Sequence, residues 1–251
     1  MNKFVLEKKA AVFRTQCGLN DKECIRFSSL LSQLNVISVF KPLSGQFGGM
    51  AIKVSNPTKL PYRFMMVNSD HSLGKQHFTI CHELYHLFIQ AEFKFQQCQT
   101  GLFDRSKDSE EYYADVFAAY LLMPETGIKS MIPDKELGKN KITIQTILKL
   151  EHYYSCSRTA MLIRLKELQI IDGTAYEKYR LGPVRSAVEN GYPINLYYGG
   201  NKDKVIGDYG SLANQLFEKG KISESHYMNL LHDLGMNSNE VQALFNGSLE
   251  E

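Results

Sequence analysis

Residues 77–88 read HFTICHELYHLF, a helix-like run with unusual polar positions. Its apolar residues recur at helical spacing, but two histidines and a glutamate interrupt them. His82 and His86 are four residues apart, so a helix places both imidazoles on one face, with Cβ atoms about 5–6 Å apart. Imidazole and carboxylate groups are costly to bury unless something pairs with them. The run is therefore either a core helix that tolerates a few polar residues or a helix whose purpose is to present those residues.

The histidine spacing predicts a metal site. Two imidazoles at this separation can converge on one zinc ion, whose bonds to histidine nitrogen are about 2.0–2.1 Å long. Glu83 directly follows the first histidine, where a general base acting on water must be, and it completes the pattern H-E-x-x-H. We therefore expect one catalytic Zn²⁺ ion, with His82 and His86 as ligands and Glu83 as the catalytic residue.

A hydrolytic zinc site needs a third protein ligand and an open fourth position. Residues 109–124, SEEYYADVFAAYLLMP, predict a second helix in which Glu111 and Asp115 share a face. Glu111 is the predicted third ligand. Asp115 is predicted to accept a hydrogen bond from the far nitrogen of a ligand histidine and so to fix its tautomer. Glu110 competes for the metal, but it lies about 100° around the helix, on a different face from Asp115.

The predicted reaction is hydrolysis of an amide bond. A zinc ion held by two neutral histidines and one carboxylate keeps a positive charge, which lowers the pKa of water toward ~7. Glu83 would take the proton as that water attacks a carbonyl and would deliver it to the leaving nitrogen. A nearby donor would stabilise the oxyanion. His77, Tyr85, Tyr112 and Tyr113 are candidates for this donor, although a structural role explains each of them more simply.

Four motifs, in this order and at these distances, resemble those of the ImmA/IrrE metallopeptidase family: GGMAI, MMVNS, QHFTICHELYHLF and EEYYADVFAAYLLMP. The resemblance covers about residues 20–135. It implies a zincin-like fold with His82, His86 and Glu111 as metal ligands and Glu83 as the catalytic residue, in agreement with the spacing.

The chain departs from the family pattern at two places. Asp115 stands where asparagine is commoner, which preserves an acceptor. Gln76 and His77 stand where an arginine often precedes F-T, so the local support of the helix is less defined. A weaker resemblance links residues 150–171, LEHYYSCSRTAMLIRLKELQII, to a helix-turn-helix-like unit that follows the peptidase core in this family.

Patterning around these motifs predicts an α+β fold. Two helices are expected first, then strands at 36–40, 48–55 and 62–69, which Pro, Gly and Asn separate. These strands should form a small three-stranded sheet packed with helices. A mainly helical C-terminal region should follow, with Gly220, Gly235 and Gly247 placed like helix ends.

The predicted organisation has three parts. A zincin-like metallopeptidase domain is expected at 1–135, a helix-turn-helix-like segment at 140–172, and the mainly helical C-terminal region at 173–251. Arg158 and Arg164, together with Lys166, could contact DNA, or they could form the solvated face of helices that cap the core.

Composition narrows the classes of partner. The net charge is +2, from 29 basic and 27 acidic residues, which argues against a protein that coats nucleic acid or membranes. The start lacks an apolar secretory signal, and no stretch approaches the ~18 apolar residues of a membrane span. Five cysteines without a C-x-x-C motif indicate reduced thiols, and Cys81 is expected to be a packed thiol. We therefore expect a cytoplasmic protein that does not bind membranes.

The family resemblance implies a regulatory role. Members cut a transcriptional repressor, often a helix-turn-helix protein of a phage, a mobile element or a stress-response locus. The expected partner is thus a repressor-type protein substrate, with DNA a less favoured one, and no oligomeric state is predicted. The alternative is a non-proteolytic regulator that uses the same fold to bind a repressor or DNA.

Overall fold

The computed structural model describes residues 2–45, 47–55, 60–93, 95–98, 109–237, 239 and 241. This part of the chain forms helices and one sheet, so the α+β prediction is confirmed. The helices are α1 (Lys3–Gln16), α2 (Phe27–Gln33), α3 (Leu73–Phe88), α4 (Ser109–Leu122), α5 (Glu125–Met131), α6 (Ile144–Tyr154), α7 (Arg158–Glu167), α8 (Gly173–Tyr179), α9 (Pro183–Glu189), α10 (Tyr209–Glu218) and α11 (Glu224–Asp233). The strands are β1 (Val36–Lys41), β2 (Gly49–Val54), β3 (Tyr62–Asn68), β4 (Phe95–Cys98) and β5 (Val205–Ile206).

The sheet is mixed and has the strand order β4-β2-β3-β1-β5. β1 runs parallel to β3, and the other neighbours are antiparallel. The three predicted strands are present at its centre, but the prediction of a three-stranded sheet is too small by two strands. β4 lies in a glutamine-rich stretch that lacks alternation, and β5 is only two residues long, so neither carries a strand pattern.

One face of the sheet packs against helices. Val36 and Phe40 of β1 are buried on this face, as are Met65 and Val67 of β3, because alternate side chains of a strand point to the same side. α3 lies across β2 and β3 on that face. The sheet thereby supports the helix that carries the H-E-x-x-H pattern.

α4 is the central helix of the core. It packs against both α1 and α3, and every residue from Ala114 to Leu122 is buried, so this part of the helix is enclosed on all sides. Ala114, Phe117, Ala118, Leu121 and Leu122 are all fully buried. This burial fixes α4 beside α3. None of the helices in the described part of the chain combines the length and apolarity needed to cross a bilayer.

Residues 140–172, predicted to be helix-turn-helix-like, contain α6 and α7. Ser155 joins them in a left-handed conformation with φ of 50°. Arg158 is buried, and its Nε and Nη2 donate to Oε2 and Oε1 of Glu151 at 2.5 and 2.8 Å. Arg164 is also buried; its Nε donates to the carbonyl of Met123 at 3.1 Å. Two of the three cations considered for DNA contact therefore lie inside the protein.

The C-terminal region is mainly helical, although it also contributes β5 to the sheet. α10 and α11 form a small core of their own, built from Ala213, Tyr227, Leu231 and Val241. Gly220 and Gly235 follow these helices with φ of 62° and 82°, as expected of helix ends. The third predicted helix end, Gly247, lies outside the described residues.

Candidate metal centre

His82 and His86 lie on one face of α3, and both side chains are fully buried. Their Nε2 atoms are 3.2 Å apart. Glu111, in the first turn of α4, brings Oε2 to 3.3 Å from Nε2 of His82 and Oε1 to 3.3 Å from Nε2 of His86. One ligand atom from each of these three residues lies within 4.8 Å of the other two. The structure thus brings together the three residues that were predicted from the sequence to be ligands.

The other nitrogen of each imidazole has a hydrogen-bond acceptor. Nδ1 of His82 lies 2.9 Å from Oδ1 of Asp115, and Nδ1 of His86 lies 2.6 Å from Oε1 of Gln90. These oxygens only accept, which assigns a proton to each Nδ1. Both Nε2 atoms face the Glu111 carboxylate, to which they can donate when protonated and with which they can share a metal ion when they are not. Two imidazole nitrogens and one carboxylate are a donor set that zinc prefers, so the residues fit a metal.

The Glu111 side chain is mostly buried, with 18% of it exposed. Burial by itself would raise the pKa of this carboxyl, but hydrogen bonds from His82 and His86 and their charges lower the pKa well below its ordinary value. Glu111 is consequently held as an anion, the form that can coordinate a metal.

Gln90 was not identified from the sequence, whereas Asp115 was. Gln90 lies four residues after His86, so the four-residue spacing that links the two histidines continues one step further and could have indicated it. Phe93 supports the same imidazole, with its ring stacked on His86 at a centroid distance of 5.3 Å. His86 is thus fixed both by a hydrogen bond and by stacking.

Glu83 is fully buried where α3 meets β2. Gly49 of β2 lies so close that a Cβ atom there would be 3.1 Å from Oε1 of Glu83 and 2.8 Å from the carbonyl oxygen of Met66. It would also be 2.7 Å from a methyl carbon of Thr79. Only glycine leaves room for this approach, so residue 49 determines how closely the Glu83 carboxylate lies against the sheet.

Glu110, the competing carboxylate, is engaged elsewhere. The hydroxyl of Tyr85 donates to its Oε2 at 2.7 Å. Within the described residues, the cluster with metal-ligand geometry contains Glu111 and does not include Glu110.

Two of the four candidate oxyanion donors have structural partners. Tyr85 is fully buried and directed to Glu110; burial, and then this carboxylate, raise its pKa. His77 stacks on Phe27 at 4.4 Å and donates from Nδ1 to the carbonyl of Ser155 at 2.7 Å. Tyr112 and Tyr113, which follow Glu111, pack partly buried against the core and remain candidates for the donor.

Cys81 directly precedes His82. It is fully buried, and burial raises the pKa of its thiol far above the ordinary value. The prediction of a packed thiol is therefore confirmed. The other cysteines whose side chains the structure describes, Cys17, Cys24 and Cys156, are also free.

Comparison with known proteins adds one match. A family model described as the IrrE N-terminal-like domain, from a peptidase family, matches residues 37–166, slightly more than half of the 251 residues. The matched range begins in β1 and ends in α7, so it contains the sheet centre and both helices of the candidate metal centre. A search among curated proteins returns no match.

Proposed function

Because the chain belongs to the peptidase family of the IrrE N-terminal-like domain, we propose that it is a zinc-dependent endopeptidase that cleaves a helix-turn-helix transcriptional repressor. Family membership establishes a metallopeptidase-type domain; the zinc ion, the cleavage inside a chain and the repressor substrate are our proposal. The observation that carries it is the buried cluster of His82, His86 and Glu111 next to Glu83.

Zinc would be held by the two Nε2 atoms and the Glu111 carboxylate, and when bound it would polarise a peptide carbonyl and make water more acidic. Glu83 would accept a proton on its carboxylate from the attacking water and pass it to the leaving nitrogen. Asp115 would keep the Nδ1 proton of His82 in place, so that Nε2 stays available as a ligand. A buried Glu83 protects this proton transfer from bulk solvent.

The sheet edge beside the site supports cleavage inside a peptide chain. In the described part of the chain, β4 has a strand partner on one side only, and its Cys98 pairs with Gly49 of β2. An extended peptide can add to such an edge through main-chain hydrogen bonds, without needing a free terminus. A peptide added there would be separated by β4 alone from Gly49, which lies against Glu83.

A repressor substrate is supported by the family resemblance. The near balance of charge and the burial of Arg158 and Arg164 favour a protein partner over DNA.

The test uses the full chain loaded with zinc and a helix-turn-helix repressor encoded next to its gene. The variants are Glu83→Gln and, as a matched control, Glu189→Gln, whose side chain is 56% exposed. We expect the parent and the control to cut the repressor at one position by mass spectrometry. Glu83→Gln should bind one zinc ion per chain and leave the repressor intact.

Two results would count against the proposal. Cleavage by Glu83→Gln at the parent rate would remove the assigned mechanism. A zinc-loaded parent that binds the repressor without cutting it would favour the alternative, a non-proteolytic regulator built on the same fold.

A further inference from the structure

Gln76 is fully buried in the first turn of α3, six residues before His82. Its side-chain Nε2 lies 3.1 Å from the carbonyl oxygen of Ser69, 2.7 Å from that of His71 and 3.0 Å from that of Gly200. Its Oε1 accepts a hydrogen bond of 3.1 Å from Asn201. One amide group therefore joins the start of the helix to the loop before it and to a segment more than 120 positions later.

That later segment, residues 198–206, is called the strap below. The carbonyl of Tyr198 accepts the main-chain N–H of Leu73 at 2.9 Å, and Gly199 forms a β-bridge with Ser72. Gly200 donates to the carbonyl of Ser69 at 3.2 Å. The strap then continues into β5 and closes the β1 edge of the sheet.

The strap compensates for a missing helix cap. Ser72 occupies the N-cap position of α3, but its side chain makes no capping hydrogen bond. The first N–H groups of a helix lack partners within the helix. The Tyr198 carbonyl accepts a hydrogen bond from the main-chain N–H of Leu73. The buried side-chain amide of Gln76 holds the same turn to the strap through the Gly200 carbonyl.

We propose that Gln76 is a positioning residue through which the strap sets the placement of the metal-binding helix. His82 and His86 lie on α3 and Glu111 lies on α4, so the ligand geometry depends on how α3 sits relative to α4. Six residues correspond to about 9 Å of helix, which is short enough for a displaced first turn to move the imidazoles. The inference rests on the proposed function, because it assigns the C-terminal region a part in the same site.

The experiment compares three substitutions of Gln76 in the full chain. Gln76→Leu removes every polar atom at similar size, and Gln76→Glu places a carboxylate opposite three carbonyl oxygens. Gln76→Lys keeps three donors for those oxygens. Gln215→Leu, in an exposed part of α10, is the matched control.

We expect Gln76→Leu and Gln76→Glu to lower kcat by up to about 100-fold, with KM within about twofold of the parent, because a small misplacement of catalytic groups has this effect. Gln76→Lys should recover most of the lost rate, since it restores the donors. Zinc affinity, measured by chelator competition, should fall about 10-fold or more in Leu and Glu and stay near the parent value in Lys.

Hydrogen exchange provides a readout that does not depend on activity. In Gln76→Leu, amides of residues 73–80 and of the strap should exchange together and faster than in the parent, while those of α10 should not change. If Gln76→Leu does not fold, Asn201→Ala, which removes one partner of the amide, takes its place and should show the same pattern more weakly.

Parent-like kcat, zinc affinity and exchange in a folded Gln76→Leu or in Asn201→Ala would overturn the inference. Gln76→Lys behaving like Gln76→Glu would also overturn it, since the donors would then be irrelevant. If the parent protein binds no zinc and cuts nothing, the proposed function fails by itself, and joint acceleration of exchange in the two segments would still support the connection through Gln76.

Discussion

Gly49 and Glu83 approach each other so closely that a Cβ atom on residue 49 would lie 3.1 Å from Oε1 of the glutamate. The main chain of β2 at Gly49 is therefore in close contact with the Glu83 side chain of α3. The H-E-x-x-H pattern places Glu83 beside the two histidines along the helix, and Gly49 determines how deep in the protein its carboxylate lies.

Gly49→Ala should impair both folding and cleavage. The new methyl group would meet the carbonyl oxygen of Met66 at 2.8 Å, and a backbone atom in a sheet cannot easily move away. We expect the free energy of unfolding in urea to fall by about 1–3 kcal/mol and the cleavage rate to fall as Glu83 is displaced. Gly173→Ala is the control, because a Cβ atom there meets only the end of Lys166 at 4.0 Å. Equal effects of the two substitutions would contradict this account.

Asp115 should tune metal affinity through hydrogen bonding more than through charge. In the parent, Nδ1 of His82 lies 2.9 Å from Oδ1 of Asp115. Asp115→Asn keeps an oxygen that can accept this hydrogen bond, so zinc affinity should change by no more than about threefold. Asp115→Leu removes the acceptor, and affinity should fall about 10–100-fold. Chelator competition measures both values. A loss in Asp115→Asn as large as in Asp115→Leu would show that the charge matters most.

The buried pair of Arg158 and Glu151 should stabilise the fold. Arg158→Met leaves a fully buried carboxylate without its cation, and urea unfolding should show a loss of about 3–5 kcal/mol. The double substitution Arg158→Met and Glu151→Leu should lose less than the single one, because no buried charge is left. A loss below about 0.5 kcal/mol in Arg158→Met is what an exposed, DNA-reading arginine would give.

His77 should make the metal-free protein less stable in acid. Burial lowers the pKa of this imidazole, despite its hydrogen bond to the carbonyl of Ser155. The unfolded chain therefore takes up a proton below pH ~6.5 more readily than the folded protein, so stability present above that pH is lost as the pH falls. Between pH 7.5 and 5.5, urea unfolding should show a larger loss for the parent than for His77→Gln. Parallel pH curves would exclude this contribution.

Local spacing was sufficient to predict which side chains the fold brings together at the candidate metal centre. His82, His86, Glu111 and Asp115 each lie four residues from a partner on a helix with a clear pattern, and helix geometry alone then places each pair on one face. The pairing of the two helices across the site followed from the need for a third ligand.

Contacts between distant parts of the chain were not predictable in this way. β5 has two residues, too few to show alternation, and its pairing with β1 joins positions about 165 residues apart. Nothing in the sequence distinguishes Gln76 from other polar residues, because its amide nitrogen bonds to main-chain carbonyls and every residue has a carbonyl. From the sequence, Arg158 and Arg164 could be interpreted as exposed. A sequence does not show that Glu151 lies within reach of the first or the Met123 carbonyl within reach of the second.

The strap that closes the sheet also dictates an order of assembly. The ribosome makes His82, Glu83 and Glu111 long before it makes Val205, so a nascent chain contains every residue of the candidate metal centre while the edge beside β1 is still open. Until residues 198–206 emerge, the main-chain N–H of Leu73 has no Tyr198 carbonyl to bond. The sheet is therefore completed late in translation, and a proteolytic nick between α9 and β5 would separate the metal-binding motif from the segment that closes its sheet.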